Sequence, residues 1–144
     1  MAALSDEEVE LQQENANDLR FNAEFEREES TTLLISEVFL YLDHRRQEND
    51  EKEEMHDLSE AFIKTLDYSR RMGRFKNRET IRSIRKVFAL SKKPFHKYEV
   101  AQLGNLCPDN AEEAKSLIPS LQSKIEDAEL ESLLQEMHSH KNFQ

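Results

Sequence analysis

Residues that punctuate turns are scarce in this chain of 144 residues. It has only two glycines, Gly73 and Gly104, with three prolines and no tryptophan. Walker loops, dinucleotide-binding fingerprints and nucleophile elbows all need clustered glycines, so the sequence excludes these classes of catalytic site. So few turn-forming residues predict a chain built mainly of helices joined by short loops.

Sulfur, metal-ligand patterns and long apolar runs are also scarce. Cys107 is the one cysteine, so no internal disulfide can form, which is typical of a reducing intracellular compartment. Among the histidines, His138 and His140 would point apart on a helix rather than share a metal ion. No acidic run has apolar neighbours that could desolvate a catalytic carboxylate. We therefore expect no enzyme, no metal and no cofactor, and no apolar run is long enough for a membrane span.

Charge, by contrast, is abundant and unevenly distributed. The formal net charge is −10. Residues 1–60 carry 19 acidic and 5 basic side chains, residues 61–97 carry 2 and 12, and residues 98–144 carry 9 and 3. A basic middle between acidic flanks predicts internal compensation, a bipolar surface, or both.

The N-terminal part combines an acidic start with spaced apolar residues. Residues 1–18 are acidic and polar, with almost nothing to bury, so we expect a disordered tail. Leu19 and Phe21 then alternate as in a short strand, which is too short to be stable alone, and Phe25 follows.

A helical pattern from about residue 30 to 47 carries more apolar residues than one small domain can cover. Leu34, Val38 and Leu42 form one stripe at four-residue spacing. Further apolar residues widen that stripe well past the usual amphipathic band; they are Leu33, Ile35, Phe39 and Tyr41. A helix that is apolar on most sides must be buried on most sides. We therefore expect residues 19–50 to form an arm that docks onto a partner protein.

An acidic linker at residues 48–57 precedes a predicted helical domain at residues 55–144. Four or five compact helical patterns follow one another there, so the predicted fold class is all-α. Asn77, Asn110 and Asp127 stand where N-caps are expected. The predicted stripes are Leu58, Phe62 and Leu66; Ile81, Ile84 and Phe88; Val100, Leu103 and Leu106; and Leu130, Leu133, Leu134 and Met137.

The basic stretch permits two interpretations. Arg74, Arg78, Arg82 and Arg85 lie in or beside a helical pattern, and Phe75 interleaves with them. Aromatic residues among cations are typical of surfaces that bind RNA. The alternative is a solvated face that offsets the acidic flanks. We favour the second interpretation, because the chain is acidic overall and lacks a nucleic-acid-binding motif.

Several motifs, in order along residues 19–144, strongly resemble the subunit-four family of eukaryotic RNA polymerase II. They read RFKNRETI at 74–81, LGNLCP at 103–108, AEEA at 111–114 and LIPSL at 117–121, with SEV at 36–38 and LDHR at 42–45 upstream. The resemblance implies an N-terminal strand and helix followed by a helical bundle of the HRDC-like type. It also implies that catalysis belongs to other, large subunits of the enzyme.

The same resemblance implies a function and a partner. Members of that family pair with subunit seven, which has an OB-fold, in a stalk that lies near the RNA exit and supports initiation and clamp closure. RNA would be contacted mostly through the partner, in the nucleus, with shuttling to the cytoplasm left open. Partner contacts would come from strand addition and helix packing; the candidate residues are Leu19, Phe21, Phe25, Leu34, Val38 and Leu42.

Two rival functions remain. One is the equivalent stalk subunit of RNA polymerase I or III, in which these motifs diverge more. The other is a freestanding helical module that binds nucleic acid through the basic stretch. The acidic tail and the apolar helix argue against the second, because neither helps a protein to bind phosphate.

Overall fold

A computed structural model of the chain describes residues 13–52 and 57–144, and these residues form an all-α fold, as predicted. No strand occurs in either described range. Short 3-10 turns lie at Ala16–Asp18 and Pro119–Leu121. The α-helices are α1 (Ile35–Asp50), α2 (Glu60–Met72), α3 (Arg78–Ala89), α4 (Lys97–Leu106), α5 (Ala111–Leu117) and α6 (Asp127–Asn142).

The predicted N-terminal strand is not confirmed. Leu19 adopts the left-handed conformation with φ of 54°, and the neighbouring residues Asn15 and Arg20 form only an isolated bridge. The chain then turns, because the side-chain oxygen of Asn22 accepts a hydrogen bond of 2.9 Å from the backbone N–H of Phe25. A lone strand needs a neighbour to pair with, and the described residues supply none. Of the predicted disordered tail, residues 1–12 lie outside the described residues.

Side-chain caps begin the helices much as the sequence predicts. Asn77 accepts a hydrogen bond of 2.8 Å from the N–H of Thr80, and Asn110 accepts one of equal length from Glu113. The third predicted cap is wrong by one position, since Asp127 is the first residue of α6 rather than its cap. Its carboxylate still lies in the first turn, where the helix dipole stabilises a negative charge.

The core is built from the apolar faces of α3 to α6, with the predicted stripes of α3 and α6 at its centre. Leu130, Leu134 and Met137 of α6 are fully buried, and Ile81, Ile84 and Phe88 of α3 pack with them in one cluster. The four-residue and three-residue spacing of these positions places them on one side of each helix. No helix in residues 13–52 and 57–144 has the length and apolar character needed to cross a membrane.

The start of α1 is inserted into this core through Leu34, which is only 1% exposed. A Cβ atom on Gly104 would lie 2.7 Å from Leu34 Cδ2, so any larger residue there would force the buried Leu34 side chain to move. Beside it, the N–H of Ile35 donates a hydrogen bond of 2.9 Å to the side-chain oxygen of Asn105. The carboxylate of Glu37 accepts from the N–H of Leu34, which ends the extended segment and begins the helix.

Two further contacts hold the beginning of α1. The hydroxyl oxygen of Ser36 accepts a hydrogen bond of 2.9 Å from the N–H of Phe75. Arg85 of α3 donates to Glu37 Oε1 at 2.5 Å and to the carbonyl oxygen of Thr32 at 2.7 Å. Residues 32–37 are therefore joined to α3, α4 and the segment between α2 and α3. The division of the chain into a docking arm and a domain remains a prediction.

A buried carboxylate joins α4 to the segment before α6. Glu99 is 0% exposed, and its Oε1 accepts a hydrogen bond of 2.8 Å from the N–H of His96. Its Oε2 accepts one of 2.7 Å from the hydroxyl of Ser120, and Lys124 forms an ion pair with Oε1. Every described partner of this carboxylate is a donor, so the buried charge is compensated.

Candidate partner-binding site

The surface of α1 keeps apolar side chains that the core does not use. Leu40 packs against the core, whereas Val38 and Leu42 are only half-buried and do not belong to the core cluster. Tyr41 is 57% exposed, and Leu33, just before the helix, is 45% exposed. Apolar side chains in this state are typical of a surface that another protein covers.

Helix α2 packs against α1 more extensively than any other element does, and it also carries exposed apolar side chains. The guanidinium carbon of Arg70 lies 5.6 Å from the centre of the Phe39 ring, which joins the two helices. Three large apolar residues of α2 are exposed, namely Ile63, Tyr68 and Met72. We group seven exposed or half-buried apolar residues of these two helices and of the position just before α1 under the name helix-pair surface: Leu33, Val38, Tyr41, Leu42, Ile63, Tyr68 and Met72.

The N-terminal segment, residues 13–31, folds back onto the beginning of α4. The ring of Phe21 lies 4.7 Å from that of Phe25 and stacks on His96 at 5.1 Å between centroids. It also lies 5.2 Å from the Tyr98 ring. Lys97 Nζ stands 4.6 Å above the Phe25 ring. Both aromatic residues that were predicted to bind a partner are therefore in contact with this chain's own α4.

Polar contacts hold the same segment in place. His96 Nε2 lies 3.0 Å from a carboxylate oxygen of Glu26. Lys97 Nζ donates hydrogen bonds of 3.1 Å to the carbonyl oxygens of Arg27 and Ser30. Leu19, which is half-buried, borders a cavity that Lys93 also lines. The fold-back thus rests on a mixture of aromatic, ionic and backbone contacts.

The structure separates the six predicted partner residues into three places. Leu34 is in the core, Val38 and Leu42 are on the helix-pair surface, and the remaining three lie in the folded-back segment; these three are Leu19, Phe21 and Phe25. Sequence reasoning missed the contribution of α2. Its signal was available, because Ile63 lies off the Leu58, Phe62 and Leu66 stripe and so has no place on the buried face.

The four arginines of the basic stretch, for which a solvated face was favoured over an RNA-binding one, also differ from one another. Arg74, Arg78 and Arg82 are exposed, and no carboxylate within residues 13–52 or 57–144 forms an ion pair with them. Arg85 is half-buried and bound to Glu37. It therefore contributes to the fold and is not available to a phosphate in this conformation.

Cys107 is buried at the end of α4, in the left-handed conformation with φ of 46°. Its thiol donates to the carbonyl oxygen of Gly104 at 3.3 Å, and burial raises the pKa of the thiol. Within the described part of the chain, no group of three or more histidine, cysteine, aspartate or glutamate side chains could hold a metal ion.

We expect Cys107 of the folded chain to react with iodoacetamide at least about 100-fold more slowly than in urea-unfolded chain, because the thiolate is both scarce and covered. Mass spectrometry of timed samples at constant pH measures the two rates. Comparable rates for the folded and unfolded chains would contradict the burial described here.

The comparison with known proteins identifies the family. A family model described as RNA polymerase Rpb4 matches residues 32–141, which is more than half of the chain. The chain belongs to the RNA polymerase Rpb4 family. The Rpb4 match begins where α1 is anchored, and it includes the helix pair, the arginines and the whole core. Residues 13–31, which fold back onto α4, precede it.

Three relatives extend the Rpb4 assignment over most of the chain. The chain is 39% identical to the DNA-directed RNA polymerase II subunit rpb4 of Dictyostelium discoideum, over 77% of this chain and 79% of that protein. It is 33% identical to the DNA-directed RNA polymerase II subunit 4 of Arabidopsis thaliana, over 92% and 97%. It is 35% identical to the DNA-directed RNA polymerase II subunit rpb4 of Schizosaccharomyces pombe, over 92% and 95%.

Proposed function

We propose that this chain is a non-catalytic subunit of RNA polymerase II that pairs with subunit seven to form the stalk of the enzyme near the RNA exit. The stalk would support transcription initiation and clamp closure, and RNA would be contacted mainly through the partner. The names of the relatives support the assignment of this chain to an RNA polymerase. They favour RNA polymerase II over polymerases I and III. The proposal places the chain in the nucleus, with shuttling to the cytoplasm as a second property to be tested.

The observation that carries the pairing is the position of Val38 and Leu42. Both belong to a helix whose start is anchored in the core, yet neither belongs to the core cluster. Helix α2, which packs against α1, also carries exposed apolar residues. A partner that covers it would remove apolar area from water, which is the main favourable contribution to most protein association.

A second contact is proposed for residues 19–25, which would add a strand to a sheet edge of the partner. In the free chain Phe21 and Phe25 contact His96 and Tyr98 instead. Strand addition therefore requires this segment to leave α4, and backbone hydrogen bonds to the partner would replace the contacts that are lost. The helix-pair surface needs no such rearrangement.

We expect Val38→Asp combined with Leu42→Asp to weaken pairing with subunit seven by at least about 100-fold, because two carboxylates would be desolvated in the interface. The chain is co-expressed with subunit seven of its own organism, and the affinity is measured by titration of the purified proteins. The tagged chain is also purified from its native cells, where the large subunits that accompany it distinguish polymerase II from polymerases I and III.

Leu90→Asp is the matched control, since Leu90 is 74% exposed at the end of α3 and lies outside the helix-pair surface. It should pair with wild-type affinity. Normal pairing by the Val38 and Leu42 variant would remove the helix-pair surface from the interface. A tagged chain that is purified without any large polymerase subunit would instead contradict the polymerase assignment itself and favour a freestanding module.

A further inference from the structure

A cleft of about 140 Å³ lies between α1 and α3. Ile81, which is buried, and Leu40, which is half-buried, give it an apolar floor. Its rim carries three exposed side chains, those of Tyr41, Arg78 and Arg82. One small cleft thus presents an apolar surface, an aromatic ring and two cations together.

The two rim arginines, Arg78 and Arg82, are close enough to bind one ligand together. They are four residues apart on α3, so their side chains leave the same side of the helix about 6 Å apart along its axis. Neither forms an ion pair with a carboxylate among residues 13–52 and 57–144, whereas Arg85 at the same cleft is already bound to Glu37. The guanidinium carbon of Arg78 lies 5.8 Å from the centre of the Tyr41 ring, which holds one cation beside the apolar floor.

We propose that this cleft binds an acidic peptide segment of another protein, in which an apolar side chain stands among carboxylates. The apolar side chain would lie on Leu40 and Ile81, against the edge of Tyr41. The carboxylates would bind Arg78 and Arg82, because guanidinium groups accept planar carboxylates with two parallel hydrogen bonds. The cleft shares Tyr41 with the helix-pair surface, whereas Arg78, Arg82 and Ile81 lie outside that surface. The inference does not depend on the pairing with subunit seven.

An acidic peptide fits the cleft better than a nucleic acid does. Tyr41 is the one aromatic residue at the cleft within the described chain, and Arg78 lies over one face of its ring, so the cleft offers no row of aromatic rings on which successive bases could stack. The apolar floor has no role in binding phosphate. The net charge of −10 also opposes a long polyanion, while a short segment experiences mainly the local arginines.

The test uses the full-length chain and a short fluorescein-labelled peptide in which leucine and phenylalanine alternate with aspartate and glutamate. A second peptide has serine in place of the apolar residues, with the same charge. A labelled oligouridine of that charge is the third probe.

We expect the apolar acidic peptide to bind at least about tenfold more tightly than the serine peptide. Arg78→Glu combined with Arg82→Glu should weaken the binding of the apolar acidic peptide by at least about tenfold. Tyr41→Ala should weaken it by about fivefold.

Lys92→Glu combined with Lys93→Glu is the charge-matched control, because both lysines are exposed in the segment between α3 and α4. It should change the affinity less than about twofold. The proposal would be overturned if the two double variants lost the same amount of peptide affinity, or if the two peptides bound equally well. Either result would mean that binding is unspecific charge attraction. Absence of peptide binding at millimolar concentration would overturn it as well. If oligouridine bound more tightly than the apolar acidic peptide, and the Arg78 and Arg82 variant lost that binding, the cleft would be a nucleic-acid surface and the proposal would be overturned.

Discussion

Leu34→Asp is expected to destabilise the helical domain by at least about 4 kcal/mol, a large part of the roughly 5–15 kcal/mol that holds a domain of this size folded. The change removes a leucine that is 1% exposed and places a carboxylate beside Gly104, where the charge is taken out of water. Loss of the leucine alone costs about 2–5 kcal/mol. Urea unfolding followed by circular dichroism measures the difference.

Val38→Asp is the control for that prediction, because Val38 stands four residues later on the same stripe but is only half-buried. In the monomer it should cost about 1 kcal/mol or less. The two positions therefore separate stability from pairing, since Leu34 acts on the fold and Val38 on the interface. A Leu34→Asp chain with wild-type stability that merely fails to pair would mean that Leu34 belongs to the partner surface after all.

Glu99→Ala is expected to cost about 3–5 kcal/mol, because it breaks a buried ion pair from one side. The ammonium group of Lys124 would lose its described partner, and the N–H of His96 and the hydroxyl of Ser120 would lose their acceptor. The contact between α4 and the segment before α6 would loosen in consequence. Thermal and urea unfolding at neutral pH measure the change.

Glu112→Ala, which removes an exposed carboxylate of α5, should alter stability by less than about 0.5 kcal/mol. A double variant, Glu99→Ala with Lys124→Ala, tests the coupling. It should lose less stability than the two single changes together, because removal of both charges leaves no unpaired one. Strict additivity would mean that Glu99 and Lys124 contribute independently and that their ion pair is not what holds the two segments.

Local features of this fold could be predicted from the sequence, because their causes lie within a few residues. The stripe of Ile81, Ile84 and Phe88 and the caps at Asn77 and Asn110 follow from helical spacing and from one side chain near each helix start. Even the surplus of apolar residues on α1 was a local property, and it indicated a surface that the core would not cover.

What could not be predicted depends on residues far apart in the chain. Leu34 shares a stripe with Val38, and no local pattern distinguishes them; the difference is Gly104, which admits Leu34 to the core. Arg85 lies on the same basic helix as Arg78 and Arg82, and it is set apart by its contacts with Glu37 and Thr32. The contact of Phe21 with His96 likewise joins positions that are far apart in the sequence, with α1, α2 and α3 between them.

The anchoring of residues 32–37 and the fold-back of residues 13–31 would have opposite consequences for assembly with a partner. Since α1 is held in place before any partner arrives, its surface is preorganised, and docking there loses little conformational entropy. The N-terminal segment must first leave His96 and Tyr98, so its apparent affinity is reduced by the fraction of molecules in which it is free. Assembly would therefore proceed in two steps, a rapid encounter through the helices and a slower closure by the segment, and the second step would set the lifetime of the complex.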